Sequence, residues 1–214
     1  MQPYEPTARR PIAGIFRQTA RGAVAICIRF RIHPDTVSYA SLAFALGAAL
    51  CFWKSGTHPV LLLVAPALCY GRLFCNMLDG MVAMESGKAS RRGEIVNELP
   101  DRISDILIFA GVAHSGLCVP AFAYWAAILA VLTAYVGVLG QAVGARREFS
   151  GVMSKPWRMV WLHVGAWTTY FLARAGIAPV VGQFTVLDLT CLVVAVGCVL
   201  TVYVRLRRIL RAMP

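Results

Sequence analysis

The chain has 214 residues, of which 58% are hydrophobic and only 14% charged, with a mean hydropathy of +0.66. These values lie outside the range of soluble globular domains and leave no room for a sizeable soluble domain. The formal charge of +11 would suit a nucleic-acid binder, but its distribution follows membrane topology, so no nucleic-acid partner is expected.

From residue 1 to about 36, Arg9, Arg10, Arg17, Arg21, Arg29 and Arg31 alternate with Ile12, Ile15, Phe16, Ala23, Val24 and Ile26 at roughly helical spacing. The pattern predicts an amphipathic juxtamembrane segment over 1–35, lying on an anionic membrane surface. His33-Pro34-Asp35 ends it, because proline lacks the amide hydrogen that a continuing helix needs. Asp35 or Thr36 is expected to cap the next helix.

A hydrocarbon core of ~30 Å takes about 20 apolar residues to cross, and six such stretches predict an all-α integral membrane domain over 36–214. The spans run from about Thr36 to Trp53, Val60 to Ala83, Glu94 to Gly116, Ala121 to Ala145, Pro156 to Arg174 and Phe184 to Val204. Lys54 and Arg174 mark the loops after spans one and five. Lys88, Arg91, Arg92, Arg146, Arg147, Lys155, Arg158, Arg205, Arg207, Arg208 and Arg211 gather on the other side. The bias predicts that both termini and the loops after spans two and four are cytoplasmic. Trp53, Trp125, Trp157 and Trp161 fall near span ends, as in an interfacial aromatic belt. Cys27, Cys51, Cys69, Cys75, Cys118, Cys191 and Cys198 form no C-x-x-C pair and read as packing residues. No short apolar core with a cleavage site marks a signal peptide, and the short loops suggest a bacterial inner membrane.

Carboxylates and amides gather between Asn76 and Asp105, in NMLDGMVAMESGKASRRGEIVNELPDRISD. Charged groups in a span cost several kcal/mol unless paired, hydrated or metal-bound. At ~100° per residue, Glu94, Asn97, Glu98, Asp101 and Asp105 share an arc of about 100° on span three. Asn76, Asp79, Gly80 and Ala83 share one face of span two. Gly80 and Ala83 lack bulk, so a neighbouring backbone or a ligand can come close. Facing helices that each give oxygen ligands suit a hard cation such as Mg²⁺, Mn²⁺ or Ca²⁺. A simpler account of span three makes Asn97 an N-cap, Glu98 a partner of the helix dipole and Pro100 a first-turn residue. It leaves Asp79, Asp101 and Asp105 unexplained.

Written N-x2-D-G-x2-A-x9-G-x3-N-x3-D, the stretch resembles the signature of the CDP-alcohol phosphatidyltransferases, D-x2-D-G-x2-A-R-x8-G-x3-D-x3-D. Asp79, Gly80, Ala83, Gly93 and Asp101 match at the right spacing. The resemblance implies a homodimeric six-helix membrane enzyme of phospholipid biosynthesis. Such enzymes move a phosphatidyl (or phosphoalcohol) group from a CDP-linked donor, here CDP-diacylglycerol, to a hydroxyl acceptor and release CMP. It further implies that the motif acids hold two divalent ions on the donor's pyrophosphate, with Asp79 a metal ligand and Asp101 the general base.

Three departures stand out. Asn76 and Asn97 replace aspartates, and Met84 replaces the arginine after the alanine. Amide oxygens still ligate hard cations, but the site loses two negative charges. Glu98 and Asp105, about 20° apart in helical projection, are the expected compensators, with Glu94 behind them. The expected metal set is Asp79, Asp101 and Glu98, helped by Asn76, Asn97 and Asp105. Arg72, Lys88, Arg91 and Arg92 are expected on the donor side with Gly80, Ala83 and Gly93, and Arg147 and Arg158 on the acceptor side. Competing expectations are a relative that has lost catalysis and binds a CDP-lipid or partner subunit, and a small-solute carrier. Clustering of the charges at one membrane face, away from the midplane, counts against a carrier.

Overall fold

The computed structural model describes residues 13–88 and 90–213. Arg9, Arg10 and Ile12 lie outside the described residues, as do the side chains of Ile15, Phe16, Arg17, Arg91 and Glu94.

Among the described residues, seven helices follow one another: α1 (Ala13–Arg29), α2 (Pro34–Lys54), α3 (Leu61–Glu85), α4 (Arg91–Ala113), α5 (Pro120–Ala142), α6 (Lys155–Arg174) and α7 (Val186–Ala212). A short antiparallel hairpin, β1 (Val180–Val181) with β2 (Phe184–Thr185), precedes α7. Helices α2 to α6 lie within about three residues of the first five expected spans, whereas α7 starts after Phe184 and Thr185, which form β2, and runs past Val204 to Ala212. Four of them, α2, α3, α5 and α7, are long and apolar enough to cross a membrane. Leu46, Leu50, Ile128, Val164, Val196 and Leu200 are exposed. So much open apolar surface marks an integral membrane protein.

Local signals set the boundaries. Pro34, Pro120 and Pro156 sit in first turns, where the missing N–H costs nothing. Helix α2 is capped by His33, whose Nδ1 accepts from the Asp35 amide at 3.3 Å, and not by the expected Asp35 or Thr36. Helix α4 starts at Arg91, earlier than expected, because the Ser90 hydroxyl accepts from the Gly93 amide at 3.0 Å. Asn97 and Pro100 therefore lie inside the helix, which removes the N-cap account of Asn97. Thr185 and Asp188 cap α7 reciprocally.

Packing closes α2–α3–α6–α7–α5–α4 into a ring, with α4 returning to α2, while α1 leans on α3. The motif helices α3 and α4 touch each other little, because α2 lies against both. Close approach is set at Gly111, where a Cβ would lie 2.3 Å from the Ala49 carbonyl oxygen. The core joins Ala45, Ala48 and Phe52 of α2 to Leu62, Ala65, Phe109, Ala126, Leu162 and Val194 of the other helices. Ser38 in the first turns of α2 meets Asp79 near the end of α3, and Lys155 at the start of α6 meets Asp101 in α4. One end of the ring thus collects the polar stretch. At the opposite end Leu117 and Val119 are tied to Thr185 and Asp188.

Candidate active site

Asp79 lies in the last third of α3, and Asn97 and Asp101 in the first half of α4. The Asn97 amide donates to Asp79 Oδ1 at 2.8 Å, and the Gly80 N–H donates to the same oxygen at 2.6 Å. The Asn76 amide donates to Asp101 Oδ1. The four motif positions are thus paired crosswise between the helices, each aspartate with the asparagine of the other helix.

Helix α2 supplies what the motif does not reveal. Ser38 Oγ donates to Asp79 Oδ2 at 2.6 Å, and Ser41 Oγ to Asn76 Oδ1 at 2.5 Å. Helix α6 supplies Lys155, whose ammonium pairs with Asp101 Oδ1. In the sequence, Lys155 looks like any other cytoplasmic-side cation, and Ser38 and Ser41 look like ordinary polar residues in an apolar helix.

Beneath these groups runs a buried ion ladder. Arg72 Nη2 donates to the Asp101 carbonyl at 2.9 Å and lies 3.0 Å from Asp105 Oδ1. Arg158 Nη2 lies 2.9 Å from Asp105 Oδ2, and Nη1 donates to the Ala130 carbonyl at 3.0 Å. Charges this deep persist only when paired and hydrogen-bonded. The acids beside Arg72 are thus Asp105 and, at 3.7 Å, Asp101.

The two expected compensators have other partners. Glu98 pairs with Arg102 one turn on and with Arg147 from the α5–α6 connection, while Asp105 holds Arg72 and Arg158. Projection on one helix could not reveal arginines arriving from α3, α6 and a loop. Arg158 and Arg72 are likewise buried, each with one terminal nitrogen on Asp105. Lys88 and Arg92 are exposed around the α3–α4 turn at the same end of the bundle. Among the described residues, a Cβ on Gly80 would meet no atom within 4 Å, so the space beside Gly80 is open. Ala83 is half-buried one turn further on. Gly93 serves the α4 cap.

Among the described residues, no three His, Cys, Asp or Glu side chains converge as metal ligands do. The donor set is instead two carboxylates and two amides, Asp79, Asp101, Asn76 and Asn97. That set suits a hard divalent cation in ligand type, with fewer negative charges than an all-aspartate motif. Among the described residues, Asp79 is held by uncharged donors, namely Ser38, Asn97 and the Gly80 amide.

No protein-family model matches the chain. It is 27% identical over 144 residues to the inner membrane protein YnbA of Escherichia coli, covering 67% of this chain and 71% of that protein. It is 28% identical over 154 residues to the phosphatidylinositol phosphate synthase of Mycolicibacterium smegmatis, covering 69% and 67%. The fold matches the Mycobacterium tuberculosis phosphatidylinositol phosphate synthase PgsA1 with CDP-DAG bound, at a TM-score of 0.72 and 22% identity over 90% of this chain and 94% of that one. The same protein in complex with manganese and citrate matches at a TM-score of 0.70 and 22% identity, over 89% and 88%. These relatives bear out the resemblance to the CDP-alcohol phosphatidyltransferases.

Proposed function

We propose that this homologue of the phosphatidylinositol phosphate synthases transfers a phosphatidyl group from CDP-diacylglycerol to a hydroxyl acceptor, releasing CMP at the cytoplasmic face of the inner membrane. One observation carries the reading. Asp79 and Asp101, set 22 positions apart in the motif, meet their asparagine partners across α3 and α4 beside the open face of Gly80. The synthases of M. smegmatis and M. tuberculosis, the latter solved with CDP-DAG and with manganese, support the donor and the metal class.

The chain's own groups divide the work. Asp79, with Asn76 and Asn97, would hold a divalent cation, Mg²⁺ or Mn²⁺, which when bound would supply positive charge against the developing phosphate charge. Asp101 accepts the acceptor's hydroxyl proton as that oxygen bonds to the phosphatidyl phosphorus and the bond to CMP breaks. Gly80, Ala83 and Gly93 leave room for the donor, and Lys88 and Arg92 offer charge at the rim. Arg147, held by Glu98, is the acceptor-side cation. Arg158 and Arg72 act from behind by fixing Asp105 and the α4 backbone.

The membrane orientation, six spans, an interfacial α1 and a homodimer belong to the same reading. The Lys and Arg bias supports the orientation. On α1, Ala20, Val24 and Cys27 are buried while Ile26 and Ile28 are exposed, which supports its lying against the bundle with apolar side chains left for lipid. Asn76 and Asn97 favour a second reading, a relative that binds the CDP-lipid without turnover. CMP release from CDP-diacylglycerol, measured with Mg²⁺ or Mn²⁺ over a panel of acceptors, decides between them. Donor binding without CMP across that panel would establish the second.

A further inference from the structure

We infer that Lys155 supplies from within the chain the positive charge that a second divalent ion would otherwise bring, so that this site holds one divalent ion per chain. The inference rests on the reading of the site as metal-dependent, and it concerns only how many ions are held and by what.

Three observations carry it. First, Asp101 Oδ1 receives both the Lys155 ammonium and the Asn76 amide, and Arg102 lies 3.9 Å from Oδ2. The Lys155 side chain is 6% exposed and that of Asp101 0%. Burying an ammonium is unfavourable unless a carboxylate matches it, so the pair is a built feature of the site. Second, the donors that Asp79 has among the described residues, Ser38, Asn97 and the Gly80 amide, are all uncharged. Third, the carboxylates of Asp79, Glu98, Asp101 and Asp105 stand among five cationic side chains, those of Arg72, Arg102, Arg147, Lys155 and Arg158. Among the described residues five cations thus face four carboxylates, so these groups carry no surplus of negative charge before any ion enters.

One divalent ion held by Asp79 would be matched by the charge of the donor's pyrophosphate. A second ion at Asp101 would have to displace Lys155 and would find an amide where the family motif places a carboxylate. The two asparagines and the lysine are therefore one device: the aspartate that can serve as base is held by an ammonium, and the aspartate that binds metal is left to do so alone.

The test is a count of Mn²⁺ bound by the full chain in detergent, by equilibrium dialysis and electron paramagnetic resonance, with no nucleotide present. Wild type should bind one Mn²⁺ per chain. Lys155→Gln should bind Mn²⁺ about tenfold more tightly, because a cation a few ångströms away is gone. The triple variant N76D/N97D/K155Q should bind two. Two ions in wild type, none in wild type, or unchanged affinity in Lys155→Gln would each overturn the inference. If the triple variant fails to fold, the wild-type count and the Lys155→Gln affinity decide alone. CMP release from the same preparations separates the two claims. One ion without turnover defeats the enzyme reading and leaves the count standing, while turnover with two ions does the reverse.

Discussion

Asp105 of α4 and Arg158 of α6 form an ion pair of 2.9 Å whose side chains are 0% and 2% exposed. It ties the motif helix to a helix on the far side of the ring, and Arg72 of α3 completes it from the other flank at 3.0 Å. One carboxylate of α4 is therefore joined to arginines of both α3 and α6. Arg158→Met should destabilise the protein by about 3 kcal/mol, because Asp105 loses a buried partner. The double variant Asp105→Asn, Arg158→Met should recover part of that loss. Thermal unfolding in detergent reads both, and an unchanged melting temperature with a raised KM for the acceptor would return Arg158 to the acceptor pocket.

Gly80 separates folding from donor binding. Its Cβ position is open, so Gly80→Ala removes the backbone freedom of a helical glycine and should stabilise the chain by about 0.5–1 kcal/mol. The same methyl enters the space assigned to the donor. A higher melting temperature together with a raised KM for CDP-diacylglycerol is expected. A variant with unaltered donor kinetics would move the donor away from this face.

Glu98→Gln distinguishes a metal ligand from a clamp on arginine. With Glu98 holding Arg102 and Arg147, the expected outcome is a several-fold higher KM for the acceptor, of order 1 kcal/mol for a partly exposed charge-assisted contact. Mn²⁺ affinity should be unchanged. A fall in Mn²⁺ affinity with normal acceptor kinetics would make Glu98 a ligand after all.

Ser38→Ala deletes the hydroxyl that donates to Asp79 Oδ2 at 2.6 Å. Loss of one hydrogen bond to a charged group is worth about 1.5–3 kcal/mol, so Mn²⁺ affinity should fall by about tenfold or more, with Ser38→Thr restoring most of it. A melting temperature that falls while Mn²⁺ affinity holds would reduce Ser38 to a packing role.

Much of this was legible in the chain. Periodic apolar runs broken by Pro34, Pro120 and Pro156 gave six helices close to their true limits, and the spacing of Asp79, Gly80, Gly93 and Asp101 marked the two helix faces that meet. What stayed hidden depends on which helix fills the gap between α3 and α4. Nothing local to Ser38 or Ser41 says that α2 lies there, and nothing local to Lys155 separates a site residue from a topology signal. The arginine partners of Glu98 and Asp105 were not legible, because the guanidinium groups that meet them come from residues as far apart as Arg72 and Arg158. The early start of α4 was within reach, since Ser90 three residues before Gly93 is a plain N-cap signal.

The central claim is that Asp79 and Asp101 work a metal-dependent phosphatidyl transfer. It is tested most directly by CMP release from CDP-diacylglycerol over a panel of hydroxyl acceptors, comparing wild type, Asp101→Asn and wild type with chelator. The account predicts CMP formation that needs Mg²⁺ or Mn²⁺ and falls at least about a hundredfold in Asp101→Asn, the scale of losing a general base. CMP release that survives either the chelator or the substitution would contradict it.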